Sequence, residues 1–547
     1  MRKLKKHNFV VICLFVILYS IGLFNLSYIT GDWDENTEQN ILLSNFKSYA
    51  NRLKIYELNS FIEDEGYLPI NINEDRDHGI AVFYPLILVV LLRYVLPGIT
   101  SIIWHLYIYS FFFIGVIYFY KLMNLMYNNK KISIIATMLY YFSPRILIAS
   151  FHNNKDIIFM TLLLILIYYL GIIIKKGNNK DMIKFAIVGA FLCNVKVLGI
   201  FFTGIIGLTY IIYLIINQKM NKERVIDIVF TLMFMFLIYY LITPAIWEQY
   251  GINLIGFIKY CLKRDSKFNW AGKLIFEGKS YHITIDELPI HYLPKYILLT
   301  LPPIVPIIFV LAILMFFKHK IVDAEKISIK DYITITSIII FVITFSIYFI
   351  LKPNLYNGWR HFYFLYTPIM IIVSYGLYSV YNSKKEAIKI IGIIIISLSI
   401  LSSSYSIIKN GIKNVGYFNI YAGKGDLSKK YDIDPYGITT KDAIKKFQIN
   451  QRIKDSDRIQ IYKVDYSVSP TLIRNLKRYN YIENNKIEIV TNSEVDKYLK
   501  KGKKIYMFVS SSYDDVDLTR CKKVYSYKYN EITIVDFYEY TKECYGA

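Results

Sequence analysis

The sequence predicts a polytopic α-helical membrane protein of about eleven crossings, with thirteen as the upper figure, followed by a small α/β domain outside the bilayer. Three observations predict it. Apolar runs near twenty residues recur through residue 408, the length needed to cross a hydrocarbon core as a helix. Lys and Arg gather in the short turns between those runs. After residue 408 the runs stop and about 140 more polar residues follow. At 547 residues, 54% hydrophobic and 17% aromatic, with a positive mean hydropathy, the chain lies outside the range of ordinary soluble enzymes. The net charge of +22 is placed as the positive-inside bias places it, so no nucleic-acid partner is expected.

The chain opens on MRKLKKH and an apolar run from Asn8 to about Ser27. Its apolar core is long for a signal peptide and no small-x-small cleavage site follows, so an uncleaved first helix is expected. Arg2, Lys3, Lys5 and Lys6 put the N-terminus inside, and the polar loop 29–79 therefore faces outward. Two apolar runs follow, about 80–97 and 101–120, where parity allows one crossing. The first is short, contains Arg93 and ends in Pro97-Gly98; it is expected to re-enter or lie at the interface.

Basic turns at 121–131, 175–184, 217–224, 318–330 and 382–389 are assigned to the cytoplasm. The loops 143–156, 193–199, 243–290 and 352–361 then face outward with the first loop. Domain boundaries are expected at 1–408 for the membrane part and 409–547 for the outer domain. In the latter, 458–466, 503–511 and 531–540 read as strands, and 439–449 as a helix opened by a Thr cap. The five cysteines (Cys13, Cys193, Cys261, Cys521, Cys544) show no metal-ligand spacing. Free thiols are expected, pairing of Cys521 with Cys544 being open only in an oxidising compartment.

The outward loops hold polar groups that a lipid-embedded bundle does not need. GDWDENTEQN (31–40) crowds Asp32, Asp34, Glu35 and Glu38 where the first helix surfaces. Loop 143–156 carries Arg145, His152, Lys155 and Asp156. CNVKVLG (193–199) sets Asn194 and Lys196 in an apolar stretch. His291 and Lys295 open one crossing, and Trp359, Arg360 and His361 another. Charges this close to hydrocarbon are costly and suggest function. Lys295 alone reads as a snorkelling side chain, and Trp247 and Trp270 as an aromatic belt. Arg145, Lys155, Lys196 and Arg360 together, on the face of Asp34, read as a site. A carboxylate there deprotonates an acceptor hydroxyl, while the cations stabilise a departing phosphate. A phosphate presented at a membrane surface is a lipid phosphate, which suggests glycosyl transfer from a lipid-phosphate sugar.

The residues also resemble a family. Asp34-Glu35 after the first helix is similar to the first-loop acidic motif of the GT-C membrane glycosyltransferases. The nearest likeness is to the branch holding protein O-mannosyltransferases and aminoarabinose transferases. SPR…SFHNNKD (143–156), LPIHYLPKYILLTLPP (288–303), LYNGWRHFYFLYTP (355–368) and YFNIYAGKGD…YDIDPYGITTKDA (417–443) resemble further blocks of that branch, in order. The resemblance implies Asp34 as catalytic base and Glu35 as the residue orienting acceptor or sugar. It implies Arg145, Lys155, Lys196, Arg360 and His361 for the lipid-phosphate end, with His78, His152, Asp156, His291 and Trp359 as further candidates. His78-Gly79-Ile80…Tyr84-Pro85 matches the family's second block only loosely. Asp32 and Glu38 are expected to be ordinary loop charges.

The expected partners are a polyprenyl-phosphate-linked sugar donor, the bilayer, and an acceptor that is a protein, a glycolipid or a wall polymer. No cofactor is expected, and a divalent metal stays open. Single displacement in the superfamily implies inversion at the anomeric carbon. Two competing readings share the helices and basic turns. One is a transporter or flippase of a lipid-linked glycan, which would place polar groups at the midplane in repeated halves. The other is a lipid-pyrophosphate-dependent polymerase or ligase.

Overall fold

In lipid a backbone has no water to bond, so each long apolar run must close its own hydrogen bonds as a helix. The computed structural model describes residues 2–31, 34–64, 69–70, 75–76, 78–250, 253–267, 272–322, 327–454, 457–462, 470–483, 485–510 and 518–544. Among these, eight helices are long and apolar enough to cross a membrane: Phe9–Leu26, Pro97–Tyr127, Asp156–Lys176, Leu198–Ile216, Lys222–Leu241, Ile329–Leu351, Arg360–Tyr381 and Glu386–Gly416. The chain is an integral membrane protein. Asp156–Lys176 and Arg360–Tyr381 lie innermost, whereas Lys222–Leu241 and Glu386–Gly416 turn most of their side chains outward.

Two further pairs form bent spans. Lys130–Tyr141 and Pro144–His152 meet at 66°, and Tyr292–Thr300 and Ile304–His319 at 112°. Pro144, Pro302 and Pro303 stand at these breaks, where the ring and the missing N–H interrupt the helical ladder. Asn179–Val195, 17 residues long and so about 25 Å, is buried on one face. With each bent pair taken as one span, the described residues hold up to ten such crossings, short of the eleven to thirteen expected.

The segment after the first loop does not span. Ala81–Leu86 and Leu92–Tyr94 are 3-10 turns flanking the five-residue helix Ile87–Leu91. Pro85 inside the first turn keeps the run from becoming one helix. Arg93 ties it to the first loop, donating to Gln39 Oε1 (3.3 Å) and Asn40 Oδ1 (3.0 Å).

The first loop is more ordered than a polar connection suggests. It folds into the helices Glu35–Leu53 and Tyr56–Asp64. Glu35, Glu38, Gln39, Asn45 and Lys47 on the first of these are buried, because that helix lies against protein rather than water. Asp32 and Trp270 fall outside the described residues.

The C-terminal part carries a sheet. A hairpin of β1 (Lys273–Phe276) and β2 (Lys279–His282) precedes it. β3 (Ile459–Tyr462), β4 (Ile487–Val490), β5 (Ile505–Ser510), β6 (Lys522–Tyr529) and β7 (Ile532–Glu539) form one sheet in the order β4-β3-β5-β7-β6. β4, β3 and β5 run parallel; β7 and β6 are antiparallel. The expected strand 458–466 is seen through Tyr462, its remainder lying outside the described residues, as does Ser511 of the next. The β6–β7 turn places Asn530 at φ 49°, a left-handed position asparagine tolerates. The helix Thr440–Asn450 packs on the sheet, Phe447 stacking on Phe537 at 4.2 Å. Cys521 and Cys544 are joined by a disulfide rather than free, the antiparallel sheet edge bringing together residues 23 apart in sequence.

Candidate active site

Asp34 stands at the N-cap of the helix Glu35–Leu53, yet its side chain makes no capping bond. An aspartate there normally accepts from the first-turn amides; here the carboxylate is left for another partner. Arg360 Nη1 donates to Asp34 Oδ2 at 3.1 Å. The Asp34 side chain is 40% exposed and that of Arg360 12%. The guanidinium lies 4.9 Å from the Tyr356 ring centre and 5.0 Å from that of Tyr436, two cation–π contacts that fix its plane. Its Nε donates to His361 Nε2 at 3.3 Å. The local sequence explains the placement: Asn357 (φ 58°) and Gly358 (φ 72°) both take left-handed conformations, turning the chain sharply before Arg360.

A second layer pairs carboxylates with lysines. Asp156 bonds Lys196 and is steadied by Asn153, whose Nδ2 donates to Asp156 Oδ2 at 2.9 Å while Oδ1 accepts from the Asp156 N–H at 2.9 Å. Lys155 Nζ lies 3.1 Å from Glu38 Oε1, and His78 Nδ1 lies 3.8 Å from the same oxygen. Burial lowers the Lys155 pKa and Glu38 only partly restores it. Burial, then the cations Lys155, Lys196 and Arg360, push His78 well below the usual histidine range, which leaves it neutral near pH 7.

Glu35 is enclosed. Oε2 lies 3.4 Å from His105 Nε2 and 3.3 Å from Arg478 Nη1, and Oε1 accepts from Gln39 Nε2 at 3.2 Å. Burial by itself raises a carboxyl pKa, but Arg478 and His105 outweigh it and hold Glu35 below the usual carboxylate value.

Of the residues expected from sequence, the structure brings Asp34, Glu35, His78, Lys155, Asp156, Lys196, Arg360 and His361 into this contact network. His152 borders it, its ring 5.0 Å from that of Tyr436. Arg145 packs over Phe418 at 5.1 Å. His291 and Lys295 sit elsewhere, both on Glu277 of the β1–β2 turn; Lys295 is thus ion-paired there. Trp359 is buried, its Nε1 donating to Thr300 Oγ1 at 2.8 Å, which is a packing role. Asn194 also holds structure: Oδ1 accepts from Ala81 N–H at 3.0 Å and Nδ2 donates to Thr243 Oγ1 at 2.9 Å.

Four participants escape the sequence reading. Glu38, read there as a loop charge, is 3% exposed, and a buried carboxylate requires partners. His105 is a lone polar group in an apolar run, a signal that exists but is common in cores. Tyr436 and Arg478 come from the C-terminal part and carry no local pattern that points here. Among the described residues, no three His, Cys, Asp or Glu side chains are grouped as a metal site would need.

No curated protein matches the chain. Among solved structures, ArnT from Cupriavidus metallidurans bound to undecaprenyl phosphate aligns at 9% identity over 98% of this chain and 99% of that one, with a TM-score of 0.45. Its apo state aligns at 9% identity over 99% and 100%, with a TM-score of 0.43. Residues 77–247 match the family model described as dolichyl-phosphate-mannose-protein mannosyltransferase. That segment, which holds His78, Arg145, Lys155, Asp156 and Lys196, covers 171 of the chain's 547 residues.

Proposed function

We propose that this protein is a membrane glycosyltransferase that moves a sugar from a polyprenyl-phosphate donor to an acceptor hydroxyl. The observation that carries the reading is Asp34 at a helix N-terminus with its carboxylate unused for capping, bonded instead to Arg360 and within electrostatic reach of Lys155. The family match over residues 77–247 supports it independently, since the family is described by a lipid-phosphate sugar. In the proposed step Asp34 takes the proton of the acceptor hydroxyl. The acceptor oxygen bonds the anomeric carbon as the bond from that carbon to the phosphate oxygen breaks. The electron pair leaves with the phosphate, which passes from a singly charged diester to a doubly charged monoester. Arg360, Lys155 and Lys196 meet that added charge, which preorganised cations stabilise most where water is excluded. A single displacement of this kind inverts the anomeric centre.

In the proposed orientation the N-terminus is cytoplasmic, and the site and residues 409–547 are extracytoplasmic, following the basic turns. Glu35 orients its neighbour, His361 steadies Arg360, and His78 and Asp156 shape the lysine layer. No cofactor enters the proposed chemistry, and assays with and without a chelator read metal dependence. The deciding experiment incubates membranes containing the protein with a panel of radiolabelled polyprenyl-phosphate sugars. Label reaching a protein, glycolipid or wall polymer in wild type but not in Asp34→Asn is the expected result. Transfer that survives Asp34→Asn removes Asp34 as base; no transfer from any donor overturns the assignment.

A further inference from the structure

Arg478 belongs to the C-terminal domain, on the helix Pro470–Ile482, yet its guanidinium lies among residues of the first loop. Nη1 is 3.3 Å from Glu35 Oε2, with 12% of the Arg478 side chain and 4% of that of Glu35 exposed. Arg474, one turn earlier, shares this helix face. Burial and the neighbouring Arg478 lower its pKa while Asp34 works against them, which places Arg474 within electrostatic reach of the acidic pair.

The contact is built rather than incidental. Thr30 N–H donates to Ile438 O at 3.1 Å. Thr30 Oγ1 accepts from the Lys441 N–H at 2.9 Å, in the first turn of the helix Thr440–Asn450. That helix lacks a side-chain cap of its own, because Thr439, the expected cap, gives its hydroxyl to Asp434 at 2.7 Å. A residue of the first loop thus caps a helix of the last domain. Gly31 completes the fit: a Cβ there would come within 2.1 Å of Arg478 Nη1 and 2.2 Å of Glu35 Oε2. Glycine leaves the space in which the pair forms. Tyr436, from the same C-terminal part, covers Arg360 at 5.0 Å.

We propose that Arg478 is a positioning residue of the glycosyl-transfer site, holding Glu35 charged and fixed beside Asp34, so that the C-terminal domain forms one wall of the active site. The inference rests on the reading given under Proposed function. Glu35 is the first residue of the helix at whose N-cap position Asp34 stands. Its side chain, clamped by Arg478 from above and His105 from within, sets how that helix start presents Asp34. Without Arg478, burial acts on Glu35 with His105 as the remaining opposing charge of the two, and the carboxyl takes up a proton at higher pH.

The test uses the full-length protein in lipid nanodiscs and a polyprenyl-phosphate sugar that the wild type turns over. R478A is expected to lower kcat by about tenfold or more, the scale of a lost orienting contact, with donor KM within about threefold. The acid limb of its kcat profile moves to higher pH, R478K recovers part of the rate, and R478A in the E35Q background adds no further loss. K477A, on an exposed residue of the same helix, leaves the rate unchanged. A wild-type kcat in R478A, an unmoved pH profile, or losses that multiply with E35Q overturns the inference. Should R478A fail to fold, R478Q, which also removes the charge, carries the test through the same pH shift. A wild-type chain that transfers from no donor sinks the functional reading itself, whereas an active wild type indifferent to Arg478 sinks only the inference.

Discussion

Arg360 holds Asp34 by a single bond, Nη1 to Oδ2 at 3.1 Å, while its planar face is kept by Tyr356 and Tyr436. The carboxylate proposed as base and a cation proposed for the phosphate are therefore partners before any substrate arrives. In the proposed reaction a phosphate oxygen that competes for the guanidinium frees Asp34 for the acceptor proton, so that donor binding and base release become one event.

Asp34→Asn keeps the size of the side chain and its acceptor oxygen but removes the proposed base. Transfer should fall by at least about 100-fold, the low end for a lost general base, with unchanged expression and membrane insertion. Radiolabel transfer measured beside a thermal-unfolding curve of the same preparation checks both halves.

Arg360→Lys retains charge and loses the planar, stacked guanidinium, so it is not a conservative change here. The donor KM should rise in Arg360→Lys and further in Arg360→Ala. Initial rates across a donor titration read this directly; a donor dependence equal to wild type in Arg360→Ala removes the residue from that role.

Glu38→Ala leaves Lys155 buried without the carboxylate 3.1 Å away. Removing one partner of a buried ion pair costs about 3–5 kcal/mol. The single variant should unfold at lower temperature, and Glu38→Ala with Lys155→Met should recover part of the loss. Differential scanning fluorimetry in one detergent separates the three.

Asp432, buried in the C-terminal part, is pushed up to about 7, by burial first, with the Ile275 N–H and Arg145 only partly offsetting it. In the unfolded chain it ionises near 3.8, so between about pH 4 and 7 the folded state holds a proton that the unfolded state has lost. This contribution to stability is complete at the acid end and falls as pH rises. Asp432→Asn, which cannot ionise, should be more stable than wild type at pH 8, with the difference shrinking toward pH 4. Unfolding curves across that range are the measurement.

The Cys521–Cys544 disulfide closes a loop of 23 residues, worth about 3 kcal/mol on a chain-entropy account. Reduction, or Cys521→Ser, should loosen β6 and β7. Faster amide hydrogen exchange confined to 518–544 is the expected signature.

The legible parts of this protein were those that a solvent boundary writes into sequence. Helices such as Asp156–Lys176 must be unbroken and apolar to satisfy their backbone in lipid. Lys155, Lys196 and Arg360 stood out because charge near hydrocarbon is costly. That 80–97 does not span could be anticipated from parity, Arg93 and the closing Pro97-Gly98. Glu38 was misjudged because it lies beside truly polar neighbours, and only the fold tells which face of Glu35–Leu53 meets protein. Arg478 was invisible for a different reason: one arginine on an amphipathic helix is ordinary, and its partner is 443 residues away. Cys521 and Cys544 likewise needed the sheet to show their ends meeting.

The bond from Lys441 to Thr30 spans 411 residues of chain, and this has a consequence for biosynthesis. Ribosomes add about 5–20 residues per second, so the first loop waits tens of seconds before the segment that packs on it exists. A nascent or prematurely terminated chain can insert most of its helices without a finished reaction centre. On the proposed reading, competence comes last, with the final quarter of the polypeptide.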